Sequence, residues 1–227
     1  MILRRIRALV PVLAISIAIL VAFAGPAVAE SKSDKAILKA GVITKDDVPT
    51  GWTSKKSSSS EPDRSIKECK AIRTAIDNAK KKVPRAQSRD FSDPDTGGGT
   101  TAQSTVYAFK DTTAAGKLFA NFQATDAGTC LQKSLARTQL GKRANESPTV
   151  SPITDLAGVG DESVGYELTL DVRVSGQATT AYIDFIATRA GRAFVGFGFT
   201  NLGERIPDGP SIVQAVLGRV ADAQGSA

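Results

Sequence analysis

Residues 164–200 contain three successive runs in which apolar and polar residues alternate, and this pattern limits the possible folds more than any other feature. In the first run, the apolar positions are Val164, Tyr166, Leu168, Leu170, Val172 and Val174. A period of two is typical of a strand with one buried face. Residues 175–177 and 190–191 interrupt the pattern as hairpin turns do. We therefore predict a three-stranded antiparallel meander, whose apolar face must be covered by other elements.

The phase of the second and third runs assigns their side chains to the two faces of the meander. We place five of these side chains on the inner face: Ile183, Phe185, Val195, Phe197 and Phe199. Tyr182, Ile186 and Phe194 then lie on the opposite faces. A solvent-exposed face carries few large apolar residues, so this second face should also be covered, either by a helix or by a ligand.

The remaining chain supplies one further strand and several helices. Residues 100–109 alternate as a strand does, and Asp111 is placed to cap the helix that follows. Apolar residues recur at three- and four-residue steps from residue 63, from residue 114, from residue 126 and from residue 212. The predicted fold class is therefore α+β, a twisted antiparallel sheet covered by helices.

The first 29 residues have the pattern of an export signal. Arg4, Arg5 and Arg7 precede an apolar run over residues 8–24, and Ala27-Val28-Ala29 is a small-residue cleavage motif. We predict a signal peptide at 1–29 and one secreted domain at 30–227, with a flexible N-terminus at 30–35. A retained N-terminal anchor is the alternative. After cleavage we expect no stable membrane span, and a location outside the cell or in the cell envelope.

Charge and cysteine content narrow the partners of the secreted domain. Removing Arg4, Arg5 and Arg7 lowers the net charge from +6 to +3, which is too small to indicate nucleic-acid binding. Cys69 and Cys130 are the only cysteines, and two cysteines in an exported chain predict one disulfide. Because the chain has no histidine and no second cysteine pair, we expect no metal site.

None of the common catalytic motifs is present. The usual serine triad needs a histidine, and Ser163 does not lie in a G-x-S-x-G sequence. Asp161 and Glu162 are adjacent, so loop hydrogen bonding explains them better than paired acid–base catalysis. Gly158 and Gly160 precede a strand and lack the third glycine of a dinucleotide site. We expect no enzyme activity, no catalytic residue and no cofactor.

Several short motifs, in their order along residues 36–224, resemble an extracellular domain family of actinobacteria. These are the segments 46–52 (DDVPTGW), 107–111 (YAFKD) and 160–163 (GDES), with Cys69 and Cys130 on flanking helices. The order is similar to that of PknH-type sensor domains and of LpqN-type secreted lipoproteins. The resemblance implies helices against a twisted antiparallel sheet, a cleft that takes a ligand, and a bridge between Cys69 and Cys130. Unlike those families, the sequence has no second cysteine pair and no cysteine at the cleavage site for lipid attachment, and we expect no kinase domain.

Together these observations predict a secreted, sensor-like binding module of the cell envelope. It would capture a small or amphiphilic molecule, a lipid or a partner protein in a cleft between sheet and helices. The candidate ligand-binding residues are Tyr182, Ile186 and Phe194, with Trp52 at the rim. Trp52 could instead anchor the N-terminal segment to the core. The alternative functions are a secreted hydrolase acting on wall or lipid material and a structural envelope protein.

Overall fold

The computed structural model describes residues 31–57, 68–97, 99–138, 141, 144, 146–174, 176–206 and 208–225. The predicted signal peptide at 1–29 lies outside these residues. So does the first part of the helix predicted from residue 63.

Within the described residues, eight strands form one antiparallel sheet. They are β1 (Thr53–Lys55), β2 (Arg85–Gln87), β3 (Asp90–Ser92), β4 (Thr101–Ala108), β5 (Thr149–Pro152), β6 (Glu162–Val174), β7 (Gln177–Ala190) and β8 (Ala193–Leu202). The order across the sheet is β1-β3-β4-β8-β7-β6-β5, and β2 also pairs with β4. The predicted meander is confirmed as β6, β7 and β8, which form the centre of the sheet together with β4.

In the part of the chain that the structure describes, five α-helices pack on the two faces of the sheet. They are α1 (Lys32–Ala40), α2 (Lys70–Lys82), α3 (Thr112–Phe119), α4 (Ala127–Ala136) and α5 (Gly209–Gly225). One core lies between the sheet and the pair α1 and α5, and the other lies between the sheet and α2, α3 and α4. Because helices cover both faces, both faces carry large apolar side chains. The predicted α+β class is confirmed.

The start of α1 differs from the expectation of a loose segment at 30–35. The Ser31 hydroxyl accepts a hydrogen bond from the Asp34 N–H at 3.0 Å, and the Asp34 carboxylate accepts one from the Ser31 N–H at 3.0 Å. This reciprocal capping box satisfies two backbone donors of the first turn. Residues 32–35 are therefore helical. Ile37 and Leu38 are buried on the same helix and pack it onto the sheet.

The predicted inner face of the meander was wrong, because the turn between β7 and β8 has only two residues. Ala190 pairs with Ala193 around Gly191 and Arg192, and Gly191 has the positive φ of +55° that such a turn requires. Phe185 consequently lies opposite Gly198, and Ile186 lies opposite Phe197. Directly paired residues share a face. Phe185 and Ile183 thus face α2–α4, whereas Val195, Phe197 and Phe199 face α1 and α5.

Candidate ligand-binding cavity

On the face of the sheet under α2 and α4, two positions of the central strand β8 are glycines and therefore have no side chain. Gly196 lies between Thr105 of β4 and Ala187 of β7, and Gly198 lies between Gln103 and Phe185. Glycine inside a strand often marks a place where another group approaches the backbone closely. Here the missing side chains leave a depression in the middle of the sheet.

The helices close this depression into a largely enclosed apolar cavity. The atom-free space, including the part that is open to solvent, is ≈ 580 Å³, and ≈ 40 Å³ can hold the centre of a water-sized molecule. Ile72 and Ile76 of α2 and Leu131 of α4 form the roof, together with Phe122 from the α3–α4 connection. The walls and floor are formed by Gln103, Thr105, Val164, Tyr166, Phe185, Ala187, Phe194, Gly196 and Gly198.

The polar groups at the cavity are few and uncharged. The Tyr166 hydroxyl donates a hydrogen bond to the Phe122 carbonyl oxygen at 2.9 Å, which fixes the α3–α4 connection to β6. Burial, and secondarily the nearby Asp126 carboxylate, raises the pKa of Tyr166, so this phenol is neutral at physiological pH. Among the described residues that line the cavity, none carries a charge. Such a site favours an apolar group over an ion.

Aromatic contacts hold one wall of the cavity in place. The ring of Phe194 lies 5.2 Å from that of Phe122 and 6.2 Å from that of Tyr107, measured between centroids. Tyr107 is fully buried, and burial raises its pKa to about 12. The rings of Tyr107 and Phe122 pack against Phe194 and hold it in place. Phe194 therefore presents a rigid apolar surface to the cavity.

The structure does not bring the four predicted ligand residues together. The side chain of Phe194 lines the cavity, whereas that of Ile186 belongs to the core under α1 and α5, so Ile186 borders the cavity with its main chain. Trp52 packs at the margin of that same core, as its anchoring interpretation expects. Tyr182 is half-buried opposite Thr169 and Asn201, and it is not among the cavity residues.

Sequence reasoning missed the residues that create the cavity. Gly196, Gly198 and Ala187 are small residues on one face of two adjacent strands. The signal was present in the third alternating run, where glycines at 196 and 198 alternate with Val195, Phe197 and Phe199. The wrong phase grouped that glycine-bearing face with Tyr182 and Ile186 instead of with Phe185 and Ala187.

The predicted disulfide is confirmed and lies at the roof of the cavity. Cys69 and Cys130 are bonded at an S–S distance of 2.06 Å, which joins the residue before α2 to the middle of α4. Beside it, the Ser134 hydroxyl accepts a hydrogen bond from the Glu68 N–H at 3.1 Å, and Arg137 pairs with the Glu68 carboxylate at 2.5 Å. The two roof helices are therefore tied together covalently at one end.

A second cluster of polar groups lies on the opposite face of the sheet, around Arg205. Its Nε is 3.2 Å from carboxylate oxygens of Glu167 and Asp184, and Asp155 lies 3.9 Å from Nη2. Burial raises the pKa of Asp184 in spite of the opposing effect of Arg205. Perturbed carboxylates can mark catalytic sites, but structural ion pairs perturb them in the same way. This cluster ties β6 and β7 to the loop before α5.

Among the described residues, no three cysteine, aspartate or glutamate side chains converge as metal ligands. In the same part of the chain, no helix combines the length and the hydropathy needed to cross a bilayer.

Comparison with known proteins finds a shared fold. The structure superposes on the crystal structure of the extracellular domain of PknH from Mycobacterium tuberculosis with a TM-score of 0.53 and 12% sequence identity. The match covers 82% of this chain and 95% of that domain. No family model matches the sequence, and no curated protein sequence matches it. The chain therefore shares its fold with that extracellular domain, and this similarity shows the fold alone.

Proposed function

We propose that this protein is a non-catalytic, sensor-like extracellular module that binds the apolar part of a small amphiphilic molecule in the cavity beneath α2 and α4. The observation that carries the proposal is an uncharged, largely enclosed cavity over two glycines of the central strand. Apolar pockets with a few polar groups are typical of small-molecule sites. Phe194 contributes a side chain to this site, and Ile186 contributes its main chain.

The cavity is too small for a long hydrocarbon chain. The volume open to the centres of water-sized molecules is ≈ 40 Å³, which is enough for about three water molecules. A longer hydrocarbon chain therefore needs the roof to move outward. The roof can separate from the sheet at the Phe122 end, which is held by the Tyr166 hydroxyl, while the disulfide keeps α2 and α4 together.

The disulfide and the fold both support a location outside the cytoplasm. Disulfides persist in oxidising compartments, and the structural neighbour is an extracellular domain. The Arg-rich apolar start of the sequence is consistent with export. We expect the mature protein to begin at Glu30, which N-terminal sequencing of secreted material tests. An intact Met1 in a membrane fraction would support an anchor instead.

The hydrolase alternative has less support. A hydrolytic site needs a nucleophile or an activated water beside an acid or base. Among the described residues, the cavity lining includes no carboxylate and no lysine. The carboxylates of Glu167 and Asp184, which pair with Arg205, lie on the other face of the sheet.

A cavity-filling variant tests the proposed function. Ala187→Val adds two methyl groups at a buried position that lines the cavity, and valine suits a strand. We expect this variant to bind the fluorescent fatty acid cis-parinaric acid at least tenfold more weakly than the wild type while its melting temperature stays the same or rises. The control, Ala178→Val, places the same substitution at an exposed position of β7 and should leave binding unchanged. Equal binding by all three proteins, or no binding by the wild type, would refute the proposal.

A further inference from the structure

A second concave surface, distinct from the cavity, lies between α2 and α3. It is an open groove with a volume of ≈ 620 Å³. One side is a stripe of α2 at helical spacing, Ala75, Asn78, Ala79 and Lys82, and the other is Ala114, Lys117 and Leu118 of α3. Val83, Pro84, Ala108 and Phe109 form its floor. The small side chains on both helices keep the groove open, and its floor is apolar.

The rim of this groove is positively charged. Lys82, Lys110 and Lys117 line it, and all three are exposed. Lys110 is 3.6 Å from the Asp111 carboxylate, but its side chain is 85% exposed, so this pair is weak and leaves the ammonium group accessible.

Asp34 also lines the groove, and its negative charge is paired with the guanidinium group of Arg192. Arg192 Nη1 lies 2.6 Å from the Asp34 carboxylate, and Nη2 donates to the Ser33 hydroxyl at 2.6 Å. Burial alone would raise the pKa of Asp34, but the hydrogen bonds from Arg192 and Ser31 outweigh burial and lower it. Asp34 therefore stays ionised and paired, and the three lysines set the charge that a partner meets.

The groove also lies close to the apolar N-terminal segment of the sequence. Asp34 belongs to the first turn of α1, and seven residues, 25–31, separate the apolar run of residues 8–24 from Lys32. Residues 25–31 can span at most about 25 Å when fully extended. As long as the apolar run remains attached, a bilayer that holds residue 24 lies within about that distance of Lys32, whereas after cleavage at Ala29 only the charge of the groove attracts the domain to a bilayer.

From these observations we infer that the groove docks on an anionic lipid bilayer. The docking surface consists of Lys82, Lys110 and Lys117 around the floor at Phe109. The ammonium groups would contact lipid phosphates, as clusters of cationic side chains at anionic membrane surfaces do. This inference goes beyond ligand binding in the cavity, because it concerns another surface and another kind of partner.

Lysine footprinting on vesicles tests the docking surface directly. The full chain is treated with a water-soluble acetylating reagent, with vesicles of phosphatidylcholine and phosphatidylglycerol or of phosphatidylcholine alone. We expect the acetylation of Lys82, Lys110 and Lys117 to fall severalfold on the anionic vesicles only. Lys45, Lys55 and Lys133, which are equally exposed on other elements, serve as internal controls and should keep their reactivity. Unprotected groove lysines, or equal protection of the control lysines, would overturn the inference.

Matched charge variants give a second, independent measurement. Replacing the three groove lysines by glutamine should lower partitioning onto the anionic vesicles roughly 100-fold, because each lysine near such a surface contributes about fivefold in affinity. The control replaces Lys45, Lys55 and Lys133 by glutamine, which changes the net charge equally. Equal losses in the two variants would show that overall charge, and not the groove, governs binding, and would contradict the docking surface. If an acidic protein protected the groove lysines while anionic vesicles did not, the inference would also fail.

Discussion

Gly198 shows how a single missing side chain shapes the cavity. A Cβ at this position would lie 3.3 Å from Nε2 of Gln103, the far end of a flexible side chain that needs to move only slightly. Gly198→Ala should therefore raise the melting temperature by about 1–4 °C, because alanine reduces the entropy of the unfolded chain. The same methyl group enters the cavity and should weaken cis-parinaric acid binding. Thermal unfolding and fluorescence titration measure the two effects.

Gly160 provides the opposite case for comparison. Its φ is +67°, and a Cβ would lie 2.7 Å from the Arg189 carbonyl oxygen, which belongs to the backbone of β7. Gly160→Ala should therefore lower the melting temperature. If both alanine variants were destabilised equally, the space above Gly198 would not be the reason that glycine occurs there.

Asp47 connects the segment after α1 to α5. Arg219 donates to both of its carboxylate oxygens, at 2.5 and 2.8 Å, and the Asp47 side chain is only 5% exposed. Asp47 also accepts a hydrogen bond from the Thr44 N–H at 2.7 Å, which caps the short helical turn Lys45–Asp47. Burial alone would raise the pKa of Asp47, but these hydrogen bonds outweigh it and hold the pKa below the ordinary value of 3.8.

The lowered pKa gives a definite pH dependence for Asp47→Asn. The ionised carboxylate stabilises the fold above its unfolded-state pKa, and this stabilisation is lost as pH falls through the lower folded-state pKa. At neutral pH the variant should lose about 1–2 kcal/mol in the free energy of unfolding, a value reduced for the partial exposure of Arg219. In urea denaturation, the difference from the wild type should shrink in acid. Asp46→Asn, at the exposed neighbouring position, is the control. A difference that stayed constant with pH would contradict the ion pair.

At the scale of elements, the hairpin between β7 and β8 explains which parts of the site the sequence could predict. The three alternating runs located β6, β7 and β8, and their lengths required no tertiary information. Their relative phase depends on whether the turn contains two or three residues, because one residue exchanges the two faces of the strand. The amino acids at 190–193 are compatible with a turn of either length. The cavity face was therefore missed although its glycines are visible in the sequence.

The disulfide acts on the roof as a unit. It closes a sequence separation of 61 residues between α2 and α4. Replacing Cys69 and Cys130 together by serine should lower the free energy of unfolding by about 2–5 kcal/mol. It should also increase hydrogen exchange in α2 and α4 more than in α1 and α5, which the bridge does not join. Reduction of the wild type with dithiothreitol should reproduce the loss. An unchanged urea midpoint in both experiments would show that packing alone holds the roof.

At the scale of the whole molecule, the sheet separates two cores with different character. Under α1 and α5 the strands present Val106, Val195, Phe197 and Phe199, which fill the space against Val213 and Val216. Under α2 and α4 the same strands present Gly196 and Gly198, and the space remains. Periodicity predicted that both faces would be covered. It could not predict which face would be incompletely filled, because that depends on the cross-strand register and on the side chains that descend from helices distant in sequence.

Methyl NMR during titration with palmitate shows whether an apolar chain enters the cavity. We expect shifts for the methyl groups of Ile72, Ile76, Leu131 and Val164, which line the cavity. The methyl groups of Ile37, Val213 and Val216 in the other core should stay unchanged. Absence of any shift at saturating palmitate, or shifts confined to Ile37, Val213 and Val216, would contradict the account.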